Sequence, residues 1–222
     1  MEVINKVQKA ILHEFSLVSG SEYFYITGGT ALSHFYLKHR RSNDLDFFTT
    51  TEEFIIPFSR RLEEKLRNER MFIQRQRGIH SFVELVVEQD EEMTIIHLAL
   101  DAVFRFEPLK EFPEYPKLKV DSLADIASNK LLTLFGRAAL RDFVDVYSLI
   151  KKTQFTIDEL MDKAKIKDTG FDLYWLGVAL ERINTFKDAS PEMLLLIEPI
   201  SFKELLAFFN EWRERIVKEL KP

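Results

Sequence analysis

The 222-residue sequence predicts an α+β (α/β-type) fold, with a mixed β-sheet in the first half of the chain and a helical lobe in the second. Several segments before residue 104 alternate apolar and polar residues, which is typical of half-buried strands. Prolines at positions 108, 113 and 116 then mark an irregular connector. The sequence after Ser122 has helical periodicity. We therefore place a sheet lobe at residues 1–112 and a helical lobe at residues 113–222.

Each predicted element has a local signal. The first segment has an amphipathic helical pattern, and Tyr23-Phe24-Tyr25-Ile26 is a run of β-favouring residues that ends at Gly28-Gly29. The last strand prediction depends on apolar residues that alternate from Met93 to Phe104. In chain order we predict a helix over 1–17, strand 23–26, helix 31–38, strand 44–48, helix from about 52 to 70, strands 71–76, 79–88 and 93–104, and a helix over 122–135.

Composition indicates a folded protein of the cytoplasm. With 46% hydrophobic and 13% aromatic residues, the chain can bury a sizeable core. It has no cysteine, which excludes disulfides and thiolate metal sites. Because no export signal begins the sequence and no apolar run approaches the roughly 18 residues of a membrane span, we expect no membrane association. The net charge of −5 argues against a general nucleic-acid coating protein.

Two aspartates, Asp44 and Asp46, alternate with apolar residues in a predicted strand. Successive side chains of a strand point to opposite faces, so both carboxylates share one face while Leu45 and Phe47 point into the core. Such paired oxygen donors suit Mg²⁺ or Mn²⁺, and metal-dependent nucleotidyl transfer requires them. A solvated strand face is the alternative for an Asp-x-Asp pattern taken alone.

A glycine turn precedes this strand. Gly28-Gly29 lies between a predicted strand and a predicted helix, where glycine lets backbone N–H groups approach an anion. Thr30 can cap the helix or bind a phosphate oxygen. A tight turn alone would explain two glycines, but it does not explain a glycine turn followed by a strand with paired carboxylates.

Two sequence blocks resemble the AbiEii/MenA group of nucleotidyltransferase-like toxins, within the polymerase-beta-type nucleotidyltransferase superfamily. The first block is Gly28-Gly29-Thr30-Ala31-Leu32, followed by residues 40–48. The second is Ile126-Ala127-Ser128-Asn129-Lys130, then Gly136-Arg137 and residues 141–147. Together the blocks span much of the first 150 residues, and the C-terminal 70 residues carry no matching motif.

The resemblance implies an NTP-dependent transferase that acts as the toxin of a toxin–antitoxin or phage-defence pair, with a cognate antitoxin as partner. Its acceptor would be a tRNA 3′ end, a protein hydroxyl or a small molecule. By matching position, Asp44 and Asp46 would hold the metal. Gly28, Gly29 and Ser42 would contact the triphosphate, and we include Thr30 and Arg41 among the nucleotide-binding candidates.

The second block supplies the remaining candidates. The resemblance implies that Lys130 binds the nucleotide phosphates, with Asp142 or Asp145 nearby, and that Arg137 and Arg141 belong to the nucleotide site. The helical lobe would then complete the active-site cleft. Arg141 and Asp145 are four residues apart on a predicted helix, so an internal ion pair is the structural alternative.

The superfamily commonly uses a third carboxylate on a later strand. Asp101 shares a face with His97 in the predicted strand 93–104, so Asp101 is our candidate for a general base or further metal ligand. Glu84, on the preceding strand, is the rival. We expect His97 to be a packed or hydrogen-bonded histidine rather than a ligand.

Two other functions use the same residues. In a phosphotransferase the acceptor would attack a different phosphorus of the nucleotide in the same site. A catalytically idle member would only bind nucleotide or a partner. Basic residues between Arg60 and Arg77 also suggest a surface for RNA, although interleaved glutamates favour a solvated helix of mixed charge at least equally.

Overall fold

The computed structural model describes residues 2–221, and the chain divides into two compact units, Met1–Leu123 and Ala124–Pro222. The first unit contains a seven-stranded mixed sheet with helices, and the second is helical. The predicted α+β fold class is therefore confirmed. The predicted boundary at residue 112 stays a prediction, and the sheet itself extends to residue 120.

The first unit begins with a helix and then builds the sheet. Its elements are α1 (Lys6–Phe15), β1 (Tyr25–Thr27), α2 (Gly28–Ala31), β2 (Asp44–Thr49), α3 (Ile55–Asn68), β3 (Phe72–Ile79), β4 (Phe82–Gln89), β5 (Glu92–Leu100), β6 (Lys110–Glu111) and β7 (Lys119–Val120). A π-helical segment, Leu32–Leu37, continues directly from α2. Short 3₁₀ turns cover Ser21–Tyr23 and Glu52–Phe54.

The sheet places the aspartate strand at its centre. The strand order is β3-β4-β5-β2-β1-β7-β6, with β2 parallel to β5 and antiparallel to β1. In this register Asp46 lies opposite His97 of β5 on one side and opposite Thr27 of β1 on the other. Glu84 of β4 lies opposite His97 in turn. Polar residues of four neighbouring strands therefore form one row across the sheet.

An aromatic core fixes which face of β2 is buried. Leu45 and Phe47 are fully buried. Phe15 of α1 stacks on Phe47 with ring centroids 3.8 Å apart, and Phe58 of α3 packs against Phe15 at 4.9 Å. Because these helices cover one face of the sheet, the alternating residues Asp44 and Asp46 lie on the other face.

Some element boundaries differ from the prediction. β5 ends at Leu100 instead of Phe104, because its neighbour β2 ends at Thr49, whose carbonyl accepts the Asp101 N–H. β3 continues through Gly78, with a shift of register between Arg75 and Arg77. The proline-rich connector contains the short strands β6 and β7, which the sequence did not indicate.

The second unit consists of helices that pack through aromatic side chains. Its elements are α4 (Leu123–Arg137), α5 (Leu140–Lys152), α6 (Ile157–Lys167), α7 (Leu173–Glu181) and α8 (Phe202–Leu220). Phe143 of α5 packs edge-to-face on Phe209 of α8, with centroids 4.9 Å apart, and Trp212 is buried beside Phe209. None of the helices within residues 2–221 has the length and apolar character needed to cross a membrane.

Replacing Phe15 by Ala removes the ring that stacks on Phe47, so we expect the free energy of unfolding to fall by about 3–5 kcal/mol. Urea denaturation followed by circular dichroism measures this loss. Phe72→Ala is the matched control, because Phe72 is 64% exposed on β3 and its loss should cost about 0.5 kcal/mol or less. Equal losses in the two variants would contradict the assigned core.

Candidate active site

The paired carboxylates lie together on the open face of β2. Asp44, Asp46 and Phe48 are half-buried, while the residues between them are fully buried. The side chain of Asp46 is 26% exposed, so solvent reaches one side of it. The structure thus has the alternation that the sequence predicts, and it presents two oxygen-donor side chains to one side of the sheet.

The glycine turn packs directly against Asp46. Gly28 has a φ of +75°, in the region that favours glycine, and a Cβ added there would lie 2.1 Å from Asp46 Oδ2. A Cβ added to Gly29 would lie 2.7 Å from Arg40 Nη2 and 3.1 Å from Ser42 Oγ. Gly28 is therefore required by its positive φ and its close approach to Asp46, and the turn, Ser42 and Asp46 lie together.

Thr30 and Arg41, two of the nucleotide-binding candidates, lie in different environments. Thr30 is fully buried, and its hydroxyl donates a hydrogen bond to the main-chain carbonyl of Asp44. This bond ties the glycine turn to β2. Arg41 is exposed, whereas the neighbouring Arg40 is buried with its guanidinium close to Gly29. Arg40 is thus a cation at the turn that the sequence argument did not single out.

His97 bridges two carboxylates of the polar row. Its Nδ1 lies 2.8 Å from Asp46 Oδ1, and its Nε2 lies 3.4 Å from Glu84 Oε2. The hydrogen bond to Asp46 raises the pKa of His97, and the charges of Asp46, Asp44 and Glu84 add to this effect, while burial opposes it. The structure agrees with the expectation of a hydrogen-bonded histidine, and it shows that the partner is the predicted metal ligand.

Asp101 lies just past the end of β5, four residues beyond His97. Its carboxylate accepts a hydrogen bond from the hydroxyl of Tyr25, whose pKa is raised mainly by burial. The guanidinium of Arg105 covers the Tyr25 ring, with Cζ 3.8 Å from the ring centroid. The structure therefore places Asp101 in a contact with Tyr25 and Arg105, while Glu84 is the carboxylate that shares a histidine with Asp46.

Asp121 is a further carboxylate in this region that sequence reasoning missed. It is almost fully buried, accepts a hydrogen bond from the Thr27 hydroxyl at 2.8 Å and forms an ion pair with Arg105. Asp121 directly follows β7, a strand of only two residues whose pairing with β1 has no recognisable sequence signal. A local pattern was therefore insufficient to place it.

Asp142 and Asp145, two buried aspartates of the second unit, have different partners. Lys130 Nζ lies 2.8 Å from Asp145 Oδ2, and both side chains are buried. Asp142 accepts two hydrogen bonds from the Arg137 guanidinium, at 2.8 and 2.9 Å, and one from the N–H of Ala139 at the start of α5. The cation held by Asp145 is therefore Lys130.

Arg141 is exposed on α5, so the alternative of an Arg141–Asp145 ion pair is not the arrangement seen. Three of the basic residues between Arg60 and Arg77 form ion pairs with glutamates. Arg67 and Arg75 both contact Glu63, and Lys65 contacts Glu14 and Glu69. These pairs favour the alternative of a mixed-charge helix over a surface for RNA.

A mixed sheet that carries two aspartates beside a glycine turn fits the nucleotidyltransferase class. The family model "Nucleotidyl transferase AbiEii toxin, Type IV TA system" matches residues 10–221, so the chain belongs to this family. The resemblance found in the two motif blocks is thereby confirmed. Membership makes the protein a nucleotidyltransferase of a toxin family, which implies use of a nucleoside triphosphate and an antitoxin partner.

The chain is also similar to further proteins. An uncharacterized protein of Aquifex aeolicus is 30% identical over 226 residues, which cover 99% of this chain and 98% of the relative. A candidate nucleotidyltransferase from H. pylori has a similar structure, with a TM-score of 0.59, 18% identity and coverage of 97% of this chain and 93% of the other. MenT4, a nucleotidyltransferase toxin from Mycobacterium tuberculosis, is also similar in structure. Its TM-score is 0.57 at 18% identity, with coverage of 97% of this chain and 82% of the other. At such identity the two structures support the fold.

Gly28→Ala should disrupt the site, because the added methyl group meets Asp46 and the backbone there has a positive φ. We expect strain of about 1–3 kcal/mol and at least a tenfold loss of NTP affinity. Calorimetric titration with NTP and a thermal melt measure the two effects. Gly136→Ala is the matched control, since nothing lies within 4 Å of a Cβ at that position. Unchanged NTP affinity in Gly28→Ala would contradict this geometry.

Asp145→Asn leaves the buried ammonium of Lys130 beside a neutral amide. Since loss of one member of a buried ion pair is strongly destabilising, we expect the free energy of unfolding to fall by about 3 kcal/mol. Asp158→Asn removes the partner of Arg215 in an exposed ion pair. This change should alter the free energy of unfolding by about 1 kcal/mol or less. Chemical denaturation of the two variants compares these values, and a neutral Asp145→Asn change would contradict a structural role for the pair.

Proposed function

We propose that this protein is a Mg²⁺- or Mn²⁺-dependent nucleotidyltransferase that moves a nucleoside monophosphate from an NTP to an acceptor hydroxyl, as the toxin of a toxin–antitoxin pair. The observation that carries the proposal is the contact between the glycine turn and Asp46. A Cβ at Gly28 would occupy the position of the carboxylate, so backbone and metal-binding oxygen are packed together as a phosphate and metal site requires.

The residues present fit a divalent cation. Asp44 and Asp46 offer hard oxygen donors from one half-exposed strand face. Within residues 2–221 no group of three or more carboxylate, histidine or cysteine side chains is placed to hold a metal. Mg²⁺ is commonly bound by one or two carboxylates and completes its shell with water and substrate phosphates, so two aspartates suffice. When bound, the cation would stabilise the charge that develops on the phosphate oxygens.

The remaining residues of the first unit would bind and orient the triphosphate. Because Gly28 and Gly29 have no Cβ, charged and polar side chains pack against the turn. The N–H groups of the turn would donate to phosphate oxygens. The Ser42 hydroxyl and the Arg40 guanidinium lie at Gly29 and supply a donor and a positive charge. Lys130 of the second unit, whose ammonium pairs with Asp145, stays a phosphate-binding candidate on the resemblance alone.

In the proposed reaction, the oxygen of the acceptor hydroxyl attacks the α-phosphorus. A new P–O bond forms, the bond to the β-phosphate bridging oxygen breaks, and pyrophosphate leaves. The proton of the hydroxyl passes to a carboxylate. Of the two candidates we prefer Glu84, because it contacts the histidine that is bonded to Asp46, whereas the carboxylate of Asp101 accepts the Tyr25 hydroxyl.

The test incubates the protein with Mg²⁺, each α-labelled NTP in turn and total tRNA, and follows label into RNA, protein or small molecules. We expect transfer that EDTA abolishes and that Asp44→Asn and Asp46→Asn reduce by about 100-fold or more, because each removes a charged oxygen donor. Asp90→Asn, an exposed acid in the turn between β4 and β5, is the matched control. The labelled fraction identifies the acceptor.

Two results would contradict the proposal. Transfer at the wild-type rate by Asp46→Asn would remove the metal assignment. Transfer of label from a γ-labelled NTP, with none from the α-labelled one, would instead establish a phosphotransferase.

A further inference from the structure

We infer that His97 is a positioning residue for Asp46: its Nδ1–H holds Oδ1 of the carboxylate, so that Oδ2 faces the glycine turn where metal and nucleotide would bind. The inference rests on the proposed function, in which Asp46 holds the metal. It adds a residue outside the two motif blocks to the catalytic apparatus, and it assigns that residue to orientation rather than to coordination.

The two oxygens of Asp46 have different neighbours. Oδ1 lies 2.8 Å from His97 Nδ1. Oδ2 is the atom that a Cβ on Gly28 would meet, so it points to the turn. An aspartate on a strand is otherwise free to rotate about its side-chain bonds, and the hydrogen bond removes this freedom. One oxygen is thus used for orientation, and the other lies at the glycine turn.

The imidazole is itself held on three sides. The parallel register of β2 and β5 places it opposite Asp46, Phe82 packs at a ring-centroid distance of 5.5 Å, and Glu84 Oε2 lies 3.4 Å from Nε2. Because a carboxylate only accepts hydrogen bonds, the nitrogen facing Asp46 must carry hydrogen. The geometry therefore requires hydrogen on Nδ1, and the Glu84 carboxylate that faces Nε2 favours hydrogen there as well.

Outer residues that orient a metal-binding group typically contribute 10- to 100-fold to metal affinity or activity. Three substitutions separate the two nitrogens of His97. The side-chain amide of His97→Asn occupies the position of Nδ1 and keeps a donor for Asp46. The amide of His97→Gln reaches the position of Nε2 instead, and His97→Ala retains neither donor.

The primary measurement is Mn²⁺ binding to the protein by electron paramagnetic resonance, without NTP and without turnover. We expect His97→Ala and His97→Gln to bind Mn²⁺ about 10- to 100-fold more weakly, and His97→Asn to stay close to wild type. In the transfer assay, the first two variants should need more metal for half-maximal rate, with a smaller change in KM for NTP. Thermal melts confirm that each variant is folded.

A second readout uses the metal-free wild-type protein and does not depend on any variant. Nitrogen-15 spectra of the imidazole should show hydrogen on Nδ1 of His97. Hydrogen on Nε2 alone would overturn the inference, as would equal Mn²⁺ affinity in all three variants and wild type, or a His97→Asn variant as weak as His97→Ala. If Asp46→Asn binds Mn²⁺ like wild type, the proposed metal site is wrong instead. The nitrogen-15 spectrum still tests the hydrogen bond between His97 and Asp46 separately.

Discussion

The site depends on one constraint, the strict alternation of faces along β2. Phe47 is stacked on Phe15 and fully buried, so the strand cannot shift by one residue without exposing the ring and burying a carboxylate. Moving an ionised carboxylate into that core without a partner would cost far more than the strand pairing provides. Core packing at Phe47 therefore fixes the direction of Asp44 and Asp46, and any chemistry on that face depends on hydrophobic packing on the other.

The glycine turn depends on the same strand. Asp46 lies opposite Thr27, the last residue of β1, and the chain turns directly afterwards at Gly28. The antiparallel pairing thus brings the turn to the carboxylate, and the Thr30 hydroxyl bonded to the Asp44 carbonyl holds it there. Only a residue without Cβ fits at this distance. The glycines and the aspartates are consequently close in the structure because β1 and β2 pair antiparallel, with the helical segment 28–37 connecting them.

The sequence was sufficient where a signal is local. Alternation predicted the common face of Asp44 and Asp46, and the glycine pair predicted a strand-to-helix turn. The sequence was insufficient where a contact between two strands depends on their register or on where they end. The His97 hydrogen bond to Asp46 exists because β5 pairs in parallel with β2, and Asp101 lies off the strand because β2 stops at Thr49. Such pairings join residues 51 positions apart, and no single segment encodes them.

Charge explains why a histidine suits the middle of the polar row. Asp46 and Glu84 lie on either side of it on one sheet face, with Asp44 nearby, and neighbouring like charges repel. An imidazole between two carboxylates offers a donor to one and favourable charge to the other, which is why its pKa is raised. A lysine there would place a full ammonium in competition with a bound cation. A histidine instead orients Asp46 and leaves the second oxygen its negative charge, as the proposed metal site requires.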